Sequence, residues 1–265
     1  MTGGDRFVRL LVDDADILPI LEPDRRGAAY ALCDLDPPYR ERTRFLGSSA
    51  GSAPDALVIL YRLPGAHATL AFGEIAGVQG IVREYADLPS STFLIVRREY
   101  VPAFAQRYRL GAHSTVSRMV LDASAASVSL LADPRPRRLS ALDIPAVRSL
   151  YRHWGNAQFD PLMIDSGICY GVFQGTELVS VAGTHTWSPG RGIAAIGGVF
   201  THPDHRGKGL ATAATAAVVA DAVDAGIDLI VLNVIADNEP AIAVYRRLGF
   251  THHDTYVEGH AERKA

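Results

Sequence analysis

In the second half of the chain the apolar positions fall into a regular succession of short runs. Ala194–Phe200 (Ala-Ala-Ile-Gly-Gly-Val-Phe) is apolar and is soon followed by Pro203, which predicts a buried strand. From Gly209 an alanine-rich run opens whose composition favours a helix. Gly226 stops it, and Ile227–Val234 (Ile-Asp-Leu-Ile-Val-Leu-Asn-Val) reads as another strand. A second helix follows, with Asn238 as N-cap, Pro240 in its first turn and Gly249 past its last. Upstream, Arg138–Leu139 predicts a short strand, and Ser140 with Asp143 a capping box with Asp in place of Glu or Gln. The helix it starts runs to about Trp154, with Leu142, Val147, Leu150 and Tyr151 as its apolar face. Ile168–Gln174 and Glu177–Trp187 predict a hairpin turned at Gly175-Thr176, and Thr251–Tyr256 alternates as a last strand beside the Asn238 helix.

The pattern is weaker before residue 132. Asp14–Arg25 and Gly27–Leu35 predict interrupted helix, and Gly47–Pro54 reads as a flexible loop. Strands are predicted at Ala56–Arg62, Ala68–Phe72, Thr92–Arg97 and Ser114–Leu121, with helices at Ile75–Tyr85 and Pro102–Tyr108. That order parallels the late part of the second half and suggests a divergent second copy of one α/β fold. The break falls at Ala132–Arg138, where two prolines and four charges within six residues disfavour regular structure. Domains at 1–132 and 137–265 are therefore expected.

Composition narrows the partners. With 265 residues, 48% hydrophobic and 21% charged, the chain is ordinary globular material. A net charge of −3 gives no reason to expect a nucleic acid or an anionic membrane. No apolar run approaches the ~18 residues of a membrane span. Met-Thr-Gly-Gly-Asp-Arg-Phe lacks the regions of a secretory signal, so a cytoplasmic location is expected. Cys33 and Cys169 sit in apolar contexts and read as buried free thiols. The nine histidines show no metal spacing, so no metal is expected; no Gly-x-Ser-x-Gly elbow supplies a serine nucleophile.

The link between the first strand and the alanine-rich helix carries the chemistry. A strand turning through glycines into a helix leaves backbone N–H groups at the helix start, where the helix dipole also attracts an anion. Three phosphate-binding patterns compete for Arg206-Gly207-Lys208-Gly209-Leu210-Ala211. A Walker A loop needs Ser or Thr after Gly-Lys, and Gly209 stands there. A dinucleotide fingerprint through Gly207 and Gly209 lacks its third glycine, since position 212 is Thr, although Asp237 could imitate the ribose-binding acid. Arg-x-x-Gly-x-Ala fits Arg206, Gly209 and Ala211. This motif resembles the acyl-CoA pyrophosphate loop of the GNAT superfamily of N-acetyltransferases. Asn238-x-x-Ala241-x-x-x-Tyr245-x-x-x-Gly249-Phe250 resembles the same family's second motif, in the same order and at the same distance.

The resemblance implies a GNAT fold, a mixed central sheet flanked by helices, in the second half. It implies acetyl-CoA as co-substrate, a primary amine as acceptor, direct attack in a ternary complex and, as the family often pairs, a homodimer. Carried onto this sequence, Val199, Phe200 and Thr201 border the thioester, with a backbone N–H near Val199 receiving its oxygen. The segment Arg206, Gly207, Lys208, Gly209, Leu210, Ala211 and Thr212 cradles the pyrophosphate, and Asn238, Ala241 and Tyr245 flank the pantetheine arm. Tyr245 is the general-acid candidate, because a phenol keeps its proton at neutral pH and can pass it to a thiolate. Ala194–Phe200 lacks the carboxylate many family members carry there. His185 on the preceding strand is the candidate base, with His202 a weaker one. The missing carboxylate keeps an acyl-CoA sensor or pseudoenzyme open as the alternative, and a nucleotide-dependent oxidoreductase as a lesser one. In the first half the corresponding segment Gly73–Gly80 carries Glu74 and no Arg or Lys, so no CoA site is expected there. That half is expected to wall the acceptor groove together with Phe159, Met163 and Trp187.

Overall fold

The computed structural model describes residues 6–125, 133, 135–155 and 159–264. Parts of two expected loops, 156–158 and most of the proline-rich segment's approach at 126–132, lie outside them. The chain divides into two compact units: residues to Ser117 together with Asp254 onward, and Arg118–His253. The Pro136–Arg138 segment thus lies inside the second unit, and the last dozen residues belong to the first.

The first unit runs β1 (Phe7–Leu11), α1 (Asp14–Leu21), α2 (Ala29–Cys33), β2 (Thr43–Ser49), β3 (Ala56–Leu63), β4 (Ala66–Gly73), α3 (Ile75–Glu84), β5 (Ser91–Arg97) and α4 (Val101–Ala105), then the first part of β6 (Tyr108–Asp122). Antiparallel pairing joins β1, β2, β3 and β4, and β5 pairs parallel to β4. Val58, Leu60, Val78, Ile81, Leu94 and Phe104 are among the residues that close its core. Gly47, Ser48 and Ser49, expected in a flexible loop, are strand residues paired with β1. The glycine is required by packing: a Cβ at Gly47 would stand 2.6 Å from the Leu11 side chain. Ser48 is polar yet buried because its hydroxyl accepts from Arg6 Nε at 3.1 Å.

The second unit runs from the rest of β6 through β7 (Pro136–Arg138), α5 (Ile144–Tyr151), α6 (Leu162–Asp165), β8 (Cys169–Gln174), β9 (Glu177–Ser188), β10 (Ile193–Thr201), α7 (Leu210–Asp224), β11 (Leu229–Ile235) and α8 (Glu239–Arg247). Its strands lie in the order β6-β11-β10-β9-β8-β7, with β10 parallel to β11 and antiparallel to β9. Buried Ala213, Ala214, Ala216, Val218, Val219 and Ala222 let α7 lie close on the sheet. The Ser140–Asp143 capping box forms, the Ser140 amide donating to the Asp143 carboxylate at 2.9 Å. It starts the helix only at Ile144, so Leu142 sits in the preceding 3-10 turn, 91% exposed, and is not part of an apolar helix face.

The final strand β12 (Thr251–Arg263) corrects the expected end of the chain. It continues past Tyr256 and pairs antiparallel with β5, from Tyr256↔Arg97 to Glu262↔Ser91. Arg97 holds it there. Its guanidinium donates to Asp254 at 2.5 Å and also to Asp24, while the Tyr256 hydroxyl donates to Gly27 O at 3.1 Å. Arg97→Ala strands two partly buried carboxylates and should lower the stability of this unit by about 1–3 kcal/mol. Urea unfolding checks it; an unchanged midpoint would mean the pair contributes nothing.

Candidate active site

The site begins where β10 loses its neighbours. Its parallel ladder with β11 covers Ile193↔Leu229 to Ile196↔Leu232 and ends. On the other side its register with β9 jumps from Gly197↔Gly183 to Phe200↔Val181, a bulge that leaves Gly198 and Val199 without cross-strand partners. Gly198 has φ +63°, and a Cβ there would lie 2.4 Å from the Tyr151 hydroxyl and 2.8 Å from Met163 Sδ. Only glycine fits both the conformation and the space. The Tyr151 hydroxyl donates to Gly198 O at 2.6 Å.

Past Thr201 the chain makes a 3-10 turn, Pro203–His205, in which His202 Nδ1 accepts from the Asp204 amide at 3.3 Å. That cap, and edge contacts with His153 and His205, give His202 a structural role at the turn. Gly207 and Gly209 both adopt left-handed conformations, φ +75° and +72°, and α7 starts at Leu210. The first helical amide with an acceptor is Ala213, bonded to Gly209 O at 3.0 Å. Among the described residues no protein group accepts from the amides of Gly207, Lys208, Gly209, Leu210, Ala211 or Thr212. Six donors at the positive end of a 15-residue helix form an anion cradle. Cations border it. Arg206 lies against the strand end, its Nε bonded to Thr201 O at 3.3 Å and its guanidinium over the Phe200 ring. Lys208 Nζ reaches Asp204 O at 3.4 Å. Arg135, oriented by Asp133, donates to Lys208 O at 3.0 Å, a contact between positions 73 apart that sequence spacing could not signal.

His185 stands at a second irregularity. Ala195 pairs with Thr186 and Ile196 with Thr184, so His185 is the extra residue of β9 and its ring covers Gly197. A Cβ on Gly197 would sit 2.2 Å from the ring. The imidazole is solvent-accessible but closely surrounded by protein, which lowers its pKa; the Asp160 carboxylate opposes that shift. Tyr245 projects from α8 into the core, edge-on to Phe250 at 6.0 Å between ring centres, and burial pushes its phenol up to about 12. Asn238 caps α8, its Oδ1 accepting from the Ala241 amide at 3.2 Å, and Ala241 is half-buried. Met163 and Phe159 pack with Tyr151 in one apolar cluster, whereas Trp187 packs against the α7–α8 side of the sheet core. Tyr151, which the helical pattern marks only as core, and Met163, expected at the acceptor groove, both stand directly at the β10 bulge.

The model of the Acetyltransferase (GNAT) family matches residues 133–250, which contain the whole of this arrangement. Residues 133–250 are a GNAT domain. This chain is 37% identical over 103 residues to a mycothiol acetyltransferase of Pseudarthrobacter chlorophenolicus, a match spanning 37% of this chain and 30% of that protein. A mycothiol acetyltransferase of an Arthrobacter species is 44% identical over 73 residues, 26% of this chain and 23% of its own. The chain thus covers less than a third of either relative. A solved structure of a putative GNAT acetyltransferase from Novosphingobium aromaticivorans has a TM-score of 0.67 at 21% identity, covering 91% of this chain and all of that one. A tandem GNAT protein from the clavulanic acid biosynthesis pathway has a TM-score of 0.60 at 16% identity, covering 97% and 98%. The GNAT fold therefore extends over nearly the whole chain, the first unit included.

That first unit lacks the cradle. A single residue, Glu74, separates β4 from α3, against eight between β10 and α7, and the Glu74 amide is bonded to Asp55 O. Tyr100 also donates to Gly73 O at 2.8 Å, bridging the end of β4. Among the described residues no cluster of His, Cys, Asp or Glu could hold a metal, and no helix is long and apolar enough to cross a membrane.

Gly209→Glu places a carboxylate in the cradle and strains a left-handed position. Acetyl-CoA affinity should fall by roughly 100-fold or more by calorimetry; a change within threefold would mean the cradle is elsewhere.

Proposed function

We propose that the GNAT domain is an N-acetyltransferase moving an acetyl group from acetyl-CoA to a primary amine. The observation that carries this reading is the row of unpaired amides from Gly207 to Thr212 beside the split between β10 and β11. The family uses acetyl-CoA; here the amides, with Arg206 and Lys208, would meet the pyrophosphate, and the split would admit the pantetheine arm towards Asn238, Ala241 and Tyr245. Val199, Phe200 and Thr201 would flank the thioester.

The reaction is direct. The amine nitrogen attacks the thioester carbon and a C–N bond forms; the carbonyl oxygen gains charge and receives the Val199 N–H. His185 takes the amine proton, a task for which its lowered pKa keeps it neutral near pH 7. The C–S bond then breaks, and Tyr245 gives its proton to the leaving thiolate. Burial pushes the phenol up to about 12, so it holds its proton at neutral pH but is a weaker acid than the leaving thiol. Its role rests on a hydrogen bond to the departing sulfur, along which the proton is passed. The His185 imidazole over Gly197 answers the missing strand carboxylate, which is the one feature favouring an acyl-CoA sensor instead. An acceptor like that of the mycothiol acetyltransferases is the first to try.

The decisive experiment measures release of CoA thiol from acetyl-CoA against an amine panel, alongside calorimetric binding. Turnover supports the transferase, binding without turnover the sensor, and no binding overturns both. One acetyl-CoA per chain is expected, since the first unit has only Glu74 between β4 and α3 in place of the cradle; a stoichiometry of two would overturn that.

The pH profile follows from His185. Below its folded pKa the ring is protonated and cannot accept a proton, so kcat/KM rises with pH through a value under 6.5 and is level above it. His185→Gln should lower kcat/KM roughly 100-fold and abolish that acid limb. Retention of the limb would assign it to another group. Tyr245→Phe should lower kcat roughly 100-fold with acetyl-CoA affinity nearly unchanged; lost affinity with intact kcat would make it a packing residue.

A further inference from the structure

We infer that Tyr151 is a positioning residue that aims the Val199 amide at the reacting carbonyl. The inference rests on the acetyl-transfer reading above and adds to it a residue on the other side of the bulge. The Tyr151 hydroxyl is bonded to Gly198 O at 2.6 Å. Gly198 C=O and Val199 N–H belong to one planar trans peptide unit, so they point in opposite directions. Fixing the oxygen therefore fixes the direction of the N–H. Nothing else in the ladder fixes it, because neither Gly198 nor Val199 has a cross-strand partner. Gly198 is left-handed and has no side chain, so without the hydroxyl this peptide plane is the least restrained part of β10.

Tyr151 itself cannot drift. Its ring is 4% exposed and meets Trp154, Phe159 and Phe200 edge-on, at 5.2, 5.8 and 6.3 Å between centres. A single rotatable hydroxyl on a locked ring is a rigid pointer. An amide aimed before the substrate arrives stabilises the developing oxyanion without reorganising during the reaction. Tyr151 touches neither acetyl-CoA nor acceptor in this scheme and acts through the peptide it holds.

Tyr151→Phe keeps the ring and removes the pointer. The expected result is a fall in kcat of roughly tenfold or more, with KM for acetyl-CoA within threefold. The specific readout is the infrared stretch of ¹³C-labelled acetyl-CoA bound to the protein. In the wild type the thioester carbonyl band lies below its position in free acetyl-CoA, and in the variant it returns towards the free value. Tyr151→Met is the second variant, since a flexible apolar side chain can fill the same cluster without a hydroxyl; it should move the band the same way even if Tyr151→Phe unfolds. A band that stays in place in the folded variants, or a loss of thermal stability with unchanged kcat, overturns the proposal. The wild-type controls separate the two readings. If wild type binds acetyl-CoA without turnover, the transferase reading fails while the band shift still tests Tyr151.

Discussion

Backbone hydrogen bonding is the constraint on which this molecule turns. A buried strand needs partners on both edges, and β10 gives up one edge after Ile196 and interrupts the other between Gly197 and Phe200. The polar groups so released must be satisfied by something other than the ladder. One is taken by the Tyr151 hydroxyl, and among the described residues the amides opening α7 have no protein acceptor. A strand that fails to pair and a helix that has not yet begun to pair are placed next to each other in sequence. In the proposed site the ligand would meet mostly main chain, shaped by three left-handed glycines at 198, 207 and 209.

Side chains act here mostly by deciding which way peptide units face. Tyr151 holds the carbonyl at 198, Arg135 the carbonyl at 208, and His202 the turn between them. The charged side chains at the loop are also engaged locally, Arg206 on Thr201 O and Lys208 on Asp204 O. Their contribution to an anion is therefore an addition to the amide cradle rather than its foundation.

Contiguous features were legible in the sequence. The Arg206–Ala211 loop, the Asn238 cap and the succession of strands and helices from 138 to 250 all depend on residues within a few positions of one another. Long-range ones were not. Tyr151 meets Gly198 across 47 positions, and Tyr151 read simply as helix core. His185 was named from its strand, but its place over Gly197 depends on a bulge that no pattern announces. Gly47 looked like a flexible-loop glycine, although it is there because Leu11 leaves no room for a Cβ. The first unit's parallel strands also part early, after Thr69↔Leu94, so the fold repeats while the chemistry does not.

The placement of β12 has a consequence for how the protein is made. Residues 254–263 complete the sheet of a unit whose other members all precede position 118. On the ribosome the amino-terminal unit therefore waits, with the β5 edge and the Asp24–Arg97 pair lacking their final partner, until the whole second unit has emerged. The second unit, whose residues are nearly consecutive, has no such dependence. The unit whose residues come earlier in the chain is thus the one whose sheet is completed by the later residues.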